Sequence, residues 1–139
     1  MATLTYAIQK VGNDYNQTDP QGPIDFDGYM QALDEFPWAA QHLQWNETQD
    51  GPLPSLVLQN EDEKRELWVG ALGGDPAGSY QLHAVSMQLR KSLFGKDKLK
   101  QDVTTVDVDD REETNALCRL FFEGRYAELD AAIARLVEG

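Results

Sequence analysis

Residue types that carry nucleophilic or metal-based chemistry are few in this sequence. It has one cysteine, Cys118, and two histidines, His42 and His83. Neither histidine belongs to an HExxH pattern, and no serine sits in a Gly-x-Ser-x-Gly turn. Cys118 lies beside Leu117 and near Leu120, which favours a buried, inert thiol over a reactive one. We therefore predict no catalytic residue, no metal site and no cofactor.

Carboxylates are the remaining chemical groups, and their densest cluster lies in the last third of the chain. It comprises Asp107, Asp109, Asp110, Glu112 and Glu113. A calcium loop needs a central glycine, and this stretch contains none. We expect Asp110 to cap a helix whose first turn favours acidic residues, with an additional binding role as the alternative. Carboxylate pairs for glycoside cleavage stay open, because any acidic chain supplies them.

The chain as a whole is strongly acidic. It has 24 Asp and Glu residues against 12 Lys and Arg residues, a formal net charge of -12. This charge repels nucleic acid and anionic membranes and attracts a cationic protein partner. Charge that serves solubility alone is the alternative. We assign the five cations between Arg90 and Lys100 to a solvated hairpin end.

Length and composition favour one domain over residues 1–139, as a monomer or a homodimer. The first residues show no basic stretch followed by an apolar one, so we expect no secretory signal. No apolar stretch approaches the ~18 residues of a membrane span. A lone cysteine favours a reducing compartment. We therefore expect a cytoplasmic protein.

Alternating apolar residues and turn signals predict an antiparallel sheet of four to five strands. The clearest turn is the segment 73–78, which lacks the lysine of a phosphate loop despite its glycines. The last strand has the weakest pattern, because Val103 and Val106 do not share a simple alternation. We expect strands at 3–11, 55–60, 65–72, 79–89 and 102–108, with loops at 13–23 and 44–54.

Apolar residues at helical spacing predict a helix in the N-terminal half and a C-terminal helical hairpin. Asp25 or Asp27 can cap the first helix, and Pro37 requires a break or a fresh helical start. The hairpin begins at Asp110 and turns at Gly124, which suits a left-handed cap. The fold class is therefore α+β. The predicted core residues are Phe26, Leu33, Trp68, Leu117, Leu120, Phe121, Leu129 and Ile133.

Four segments cover most of the chain. They are FDGYMQALDEFPWAAQ at 26–41, LWVGALGGDPAGSYQLHAV at 67–85, RKSLFGKDKLK at 90–100 and ETNALCRLFFEGRYAELDAAIARL at 113–136. In style and order they resemble small acidic immunity proteins that accompany bacterial polymorphic toxins, including those delivered by type VI secretion. The resemblance implies a cytoplasmic protein that binds a cognate toxin domain and blocks it. It assigns no functional residue.

A toxin that binds phosphate presents a basic surface, which acidic residues without a capping role could cover, with aromatic side chains as anchors. An adaptor for a secreted effector is the alternative, and it requires an exposed apolar groove. A small enzyme, the second alternative, requires a deep pocket with perturbed titratable groups. The predicted contacts are Asp34, Glu35, Glu61, Asp62, Glu63, Asp107, Asp109, Trp38 and Trp45, and for Trp38 we favour core packing over a partner contact.

Overall fold

A computed structural model of the protein describes residues 4–14, 17–49, 51–90 and 98–138. The strands are β1 (Thr5–Gln9), β2 (Asp19–Pro23), β3 (Ser55–Asn60), β4 (Arg65–Ala71), β5 (Tyr80–Arg90) and β6 (Lys98–Val108). The helices are α1 (Phe26–Glu35), α2 (Trp38–Thr48), α3 (Arg111–Phe122) and α4 (Tyr126–Glu138). Within the described residues the strands form one antiparallel sheet in the order β2-β1-β3-β4-β5-β6.

The predicted α+β class is confirmed, and the sheet has six strands where four to five were expected. The additional strand is β2, whose sequence DPQGP lies in the segment 13–23 that we expected to be a loop. Proline and glycine have low strand propensity, so pairing with β1 makes this segment extended. The expected loop at 44–54 starts later, because α2 continues to Thr48. Of the hairpin end expected between Arg90 and Lys100, residues 91–97 lie outside the described residues, whereas Lys98 and Lys100 belong to β6.

Helix ends follow the local signals in the sequence. Asp25 accepts a backbone N–H bond of 2.8 Å at the start of α1, and Asp110 accepts one of 2.7 Å at the start of α3. Gly124 follows α3 with a φ of 72°, the left-handed conformation that glycine adopts without strain. Pro37 separates α1 from α2. These four residues set where three of the helices begin or end.

The helices pack on one face of the sheet, which we call the inner face. Alternate residues of the central strands point into it, and Leu56, Leu58, Leu67 and Val69 are each at most 1% exposed. They form one apolar cluster with the helices, and burial of this surface is the main stabilising contribution to the fold. The cluster includes Tyr29 and Leu33 of α1, Trp38 of α2, Leu117 and Phe121 of α3, and Leu129 and Ile133 of α4.

The predicted core is confirmed for Leu33, Leu117, Phe121, Leu129 and Ile133, which are all buried. Phe26 and Leu120 are only partly buried against the cluster. The prediction for Trp68 was wrong, because its side chain lies on the face opposite Leu67 and Val69. Both alternating sets of side chains in β4 include large apolar residues, so strand periodicity alone did not identify the set that faces the helices.

Arg111 connects separate elements through its guanidinium, and its side chain is only 13% exposed. Its Nη1 donates to Asp34 Oδ1 and to the carbonyl oxygen of Pro76, both at 2.8 Å. Its Nη2 donates to the carbonyl oxygen of Met30 at 3.2 Å. The guanidinium also lies 5.8 Å from the ring centroid of Tyr80. One cation therefore joins α1, α3, the turn before β5, and β5 itself.

We expect Ile133→Ala to lower the free energy of unfolding by roughly 2–5 kcal/mol, because it leaves a cavity in the packed core. Leu43→Ala on α2 is the matched control, since Leu43 is 64% exposed. It should change stability by less than about 0.5 kcal/mol. Chemical denaturation measures both, and equal losses would contradict the core assignment.

We expect Arg111→Lys to cost roughly 1–3 kcal/mol, because lysine keeps the charge but cannot donate to several acceptors in a fixed fork. Asp34→Asn is the control that weakens the ion pair alone. Asp34 is 63% exposed, so this change should cost less than about 1 kcal/mol. Chemical denaturation measures both losses. A larger loss of stability for Asp34→Asn than for Arg111→Lys would show that the carbonyl contacts of Arg111 do not stabilise the fold.

Candidate protein-binding face

The sheet face opposite the inner face, which we call the outer face, carries a row of side chains across four strands. The antiparallel register pairs Val57 with Trp68, Trp68 with His83, and His83 with Thr105. Cross-strand partners in such a register stand side by side. Trp68 and His83 are half-buried and Thr105 is exposed. The row therefore presents an aromatic and a polar side chain together at the middle of the sheet.

A groove of about 400 Å³ lies over this face. Its lining includes Leu53, which precedes β3, Leu72, which follows β4, and Val103 of β6. These three side chains are 40%, 42% and 52% exposed. Large apolar side chains that share one exposed groove are typical of an interaction surface. We call this the outer groove and define it by Leu53, Trp68, Leu72, His83, Val85 and Val103.

Hydrogen bonds hold Trp68 in the outer groove and Trp45 against the loop that leads into it. The Oε1 of Glu66 accepts the indole N–H of Trp68, and its Oε2 accepts the side-chain amide of Gln59, both at 3.1 Å. Trp45 of α2 donates its indole N–H to the carbonyl oxygen of Gly51 at 3.1 Å. Gly51 leads into the segment that supplies one side of the groove. The groove is therefore built from side chains and backbone that are already held in place.

His83 is the titratable group within the outer groove. Its Nδ1 lies 2.7 Å from Thr105 Oγ1. Burial lowers the pKa of the imidazole from its ordinary value, while the carboxylate of Asp107 acts in the opposite direction. The lowered pKa favours the neutral ring at neutral pH. His83 is thus suited to hydrogen bonding with a partner.

One end of the sheet collects exposed carboxylates, and we call it the acidic end. Arg111 brings Asp34 beside the start of α3 and the turn before β5. Asp107 accepts the side-chain amide of Gln81, which also lines the outer groove, at 3.0 Å. The acidic end therefore reaches the groove through Asp107. Its residues are Asp34, Glu35, Asp75, Asp107 and Asp109, all exposed.

A second acidic group lies at the other end of the sheet. Glu61, Asp62 and Glu63 form the exposed turn between β3 and β4. The seven residues of β4 separate this turn from the acidic end. At about 3.3 Å per residue, the two ends are roughly 20 Å apart. The structure thus brings together Asp34, Glu35, Asp107 and Asp109 among the predicted contacts and places the other three carboxylates elsewhere.

The two tryptophans predicted as partner contacts have different positions. Trp38 is 1% exposed, and its indole N–H donates to the carbonyl oxygen of Leu33 at 2.8 Å. It is therefore a core residue, which is the role that we favoured for it from the sequence. Trp45 is half-buried and supports the loop beside the outer groove.

The residues that form the groove itself were not among the contacts predicted from the sequence. Alternation along β4 places Trp68 and Leu72 on the same face, so a joint role was visible in the sequence. What the sequence could not supply was which face the helices cover. Leu53 and Val103 lie in segments far apart in the chain, and only the folded sheet brings them to one groove.

Cys118 and His42 lie apart from the outer groove. Cys118 is fully buried, and burial raises the pKa of its thiol from 9.0 to about 12, with Arg111 acting in the opposite direction. A thiol with this pKa is protonated at neutral pH and is a poor nucleophile. The Nε2 of His42 donates to the carbonyl oxygen of Ala71 at 2.8 Å.

We expect Cys118 to resist disulfide-exchange reagents in the native protein at mildly alkaline pH and to react once the chain is unfolded. The rise of its pKa from 9.0 to about 12 lowers the thiolate fraction roughly a thousandfold, and burial blocks access. A Cys118→Ala protein that carries Ala116→Cys, at an exposed position of α3, is the control and should react quickly. Fast reaction of native Cys118 would contradict its burial.

Two kinds of feature are absent from the described residues. Those residues contain no group of three or more His, Cys, Asp or Glu side chains arranged to hold a metal ion. Among the same residues, no helix has both the length and the apolar character that a membrane crossing requires. Comparisons of the chain with protein-family models, with curated proteins and with solved structures found no match.

Proposed function

We propose that this chain is an immunity-type binding protein that neutralises a bacterial toxin domain by covering a cationic surface of that domain. The observation that carries the proposal is the combination of an exposed apolar groove with the carboxylates of the acidic end, of which Asp107 contacts a residue of the groove. The cation placed among these carboxylates, Arg111, is nearly buried and already bonded to Asp34 and to backbone carbonyls. The acidic end therefore presents negative charge to a partner.

The two parts of this face suit different steps of binding. Exposed carboxylates raise the association rate with a cationic partner, because their field acts over several ångströms before contact. Apolar and aromatic side chains in a central pocket slow dissociation, because they are removed from water in the complex. Leu53, Trp68, Leu72 and Val103 supply the second property, and Asp107 and Asp109 supply the first. A toxin that binds phosphate presents the complementary basic surface.

An adaptor for a secreted effector is the second candidate, and the outer groove favours it. An adaptor recognises an apolar segment of its client, and the exposed side chains of Leu53, Leu72 and Val103 offer such a surface. The two functions differ in outcome. An immunity protein abolishes the activity of the bound toxin, whereas an adaptor leaves the client active.

The test uses the polypeptide encoded by the gene next to this one. We expect it to halt growth when expressed alone, to be harmless when co-expressed with this protein, and to form a one-to-one complex in size-exclusion chromatography. A complex that stays toxic would favour the adaptor. Absence of both complex and protection would overturn the proposal for this neighbour.

Charge-reversed variants locate the interface within that complex. Glu35→Lys, Asp107→Lys and Asp109→Lys together should slow association roughly tenfold or more at low salt. Glu61→Lys, Asp62→Lys and Glu63→Lys make the same change in net charge about 20 Å away and should slow it only about two- to threefold. Stopped-flow association rates measure both, and thermal unfolding checks that each variant is folded.

Salt dependence provides an internal check on these rates. Raising the ionic strength from about 0.01 M to about 1 M shortens the screening length from about 30 Å to about 3 Å. The association rate of the wild-type protein should fall steeply over this range. The association rate of the variant reversed at Glu35, Asp107 and Asp109 should fall less. Equal effects of the two charge-reversed variants would place the interface away from the acidic end.

A further inference from the structure

The two edges of the sheet differ in their ability to accept another strand. Among the described residues, β2 forms one edge and β6 the other. β2 has five residues, two of them proline, and its pairing with β1 shifts register between Tyr6 and Ala7. Short length, proline and irregular register are features that prevent edge-to-edge pairing. β6 has eleven residues, contains no proline, and keeps an unbroken register with β5.

Hydrogen-bond parity identifies the residues of β6 that face the open edge. The backbone N–H of Leu72 donates to Ser79, and that of Met87 donates to Lys64, so odd-numbered residues on the β5 side bond to β4. Even-numbered residues of β5 therefore bond to β6, because successive residues point to opposite sides. The register pairs them with even-numbered residues of β6. The N–H and C=O groups of Gln101, Val103, Thr105 and Asp107 thus point away from β5.

The side chains along the second half of β6 favour an extended, positively charged ligand. Residues 103–106 read Val-Thr-Thr-Val, four β-branched residues with high strand propensity. Val103, Thr104 and Thr105 are exposed. Asp102 and Asp107 flank this uncharged stretch and are five residues apart. Lys98 and Lys100 lie at the start of β6, outside this stretch. A cationic segment is attracted to the stretch from Asp102 to Asp107, whereas a second copy of this chain, with its net charge of -12, is repelled.

We propose that β6 is a docking edge for an extended segment of the partner, which adds to the sheet beside Val103 and Thr105. The segment carries two cations five residues apart, one beside Asp102 and one beside Asp107, with β-branched residues between them. Main-chain hydrogen bonds supply affinity in this mode of recognition, and side chains supply specificity. The added strand also widens the outer groove on the side where Val103 lines it. The partner's identity rests on the proposed function, but the chemistry of the edge does not.

The probe is the peptide acetyl-Arg-Val-Thr-Val-Thr-Arg-amide, added to the full chain and followed by amide hydrogen exchange. In the free protein the outward N–H groups of Val103 and Thr105 lack a strand partner among the described residues. Saturating peptide should slow their exchange roughly tenfold or more. The N–H of Thr104, already bonded to β5, should change far less. Unchanged exchange at Val103 and Thr105 would overturn the proposal.

Matched variants separate main-chain pairing from simple charge attraction. Val103→Pro removes one outward N–H and leaves the β5–β6 ladder intact, so it should abolish peptide binding, whereas Val103→Ala should retain it. Asp102→Asn with Asp107→Asn keeps the backbone and should weaken binding roughly tenfold. A peptide with glutamate in place of both arginines should bind the wild-type protein no more tightly than the arginine peptide binds the double asparagine variant. Binding that tolerates both the proline and the asparagine changes would also overturn the proposal.

The same variants distinguish this inference from the proposed function. If the neighbour-encoded toxin forms a protective complex whose affinity is equal for wild type and Val103→Pro, the docking edge is wrong and the proposed function stands. If the peptide docks at β6 but the neighbour-encoded polypeptide forms no complex, the proposed function is wrong and the docking edge stands.

Discussion

The guanidinium of Arg111 is the polar contact that ties α1, α3 and the turn before β5 to one another. It bonds to α1 through Asp34 and Met30 and to the turn before β5 through Pro76, while it belongs to α3. These elements come from three distant parts of the chain. Because the side chain is nearly buried, its charge is compensated by oxygen acceptors in place of water. The position of the acidic end relative to the sheet follows from this single side chain.

The arrangement of layers decides which surface is available for binding. Within the described residues, the apolar cluster that joins the helices to the sheet lies on the inner face, and the outer face keeps a half-buried tryptophan and several exposed apolar side chains. Carboxylates gathered at one end repel each other in the free protein, and a cationic partner would relieve that repulsion. Under the proposed function, the contacts that stabilise the fold and those that bind a partner lie on opposite sides of one sheet.

Local signals account for what the sequence predicted well. Asp25, Asp110 and Gly124 mark helix ends by chemistry that operates within a few residues, so the helices were predictable. β2 was not, because its extended form depends on pairing with β1. The face occupied by Trp68 was not either, because periodicity separates two faces without saying which one the helices cover. The acidic end joins Asp34 to Asp109 across a long stretch of chain, through a cation with no local signature.

The separation of the two sheet faces bears on how this protein can change over generations. Substitutions at exposed positions such as Leu53, Leu72 or Asp109 disturb few buried contacts and so have small effects on folding. A lineage can therefore sample new partner specificities without first acquiring compensating stability. Proteins that must keep pace with a diversifying antagonist benefit from such a layout. Sequences of related proteins would then stay similar on the inner face and diverge on the outer face.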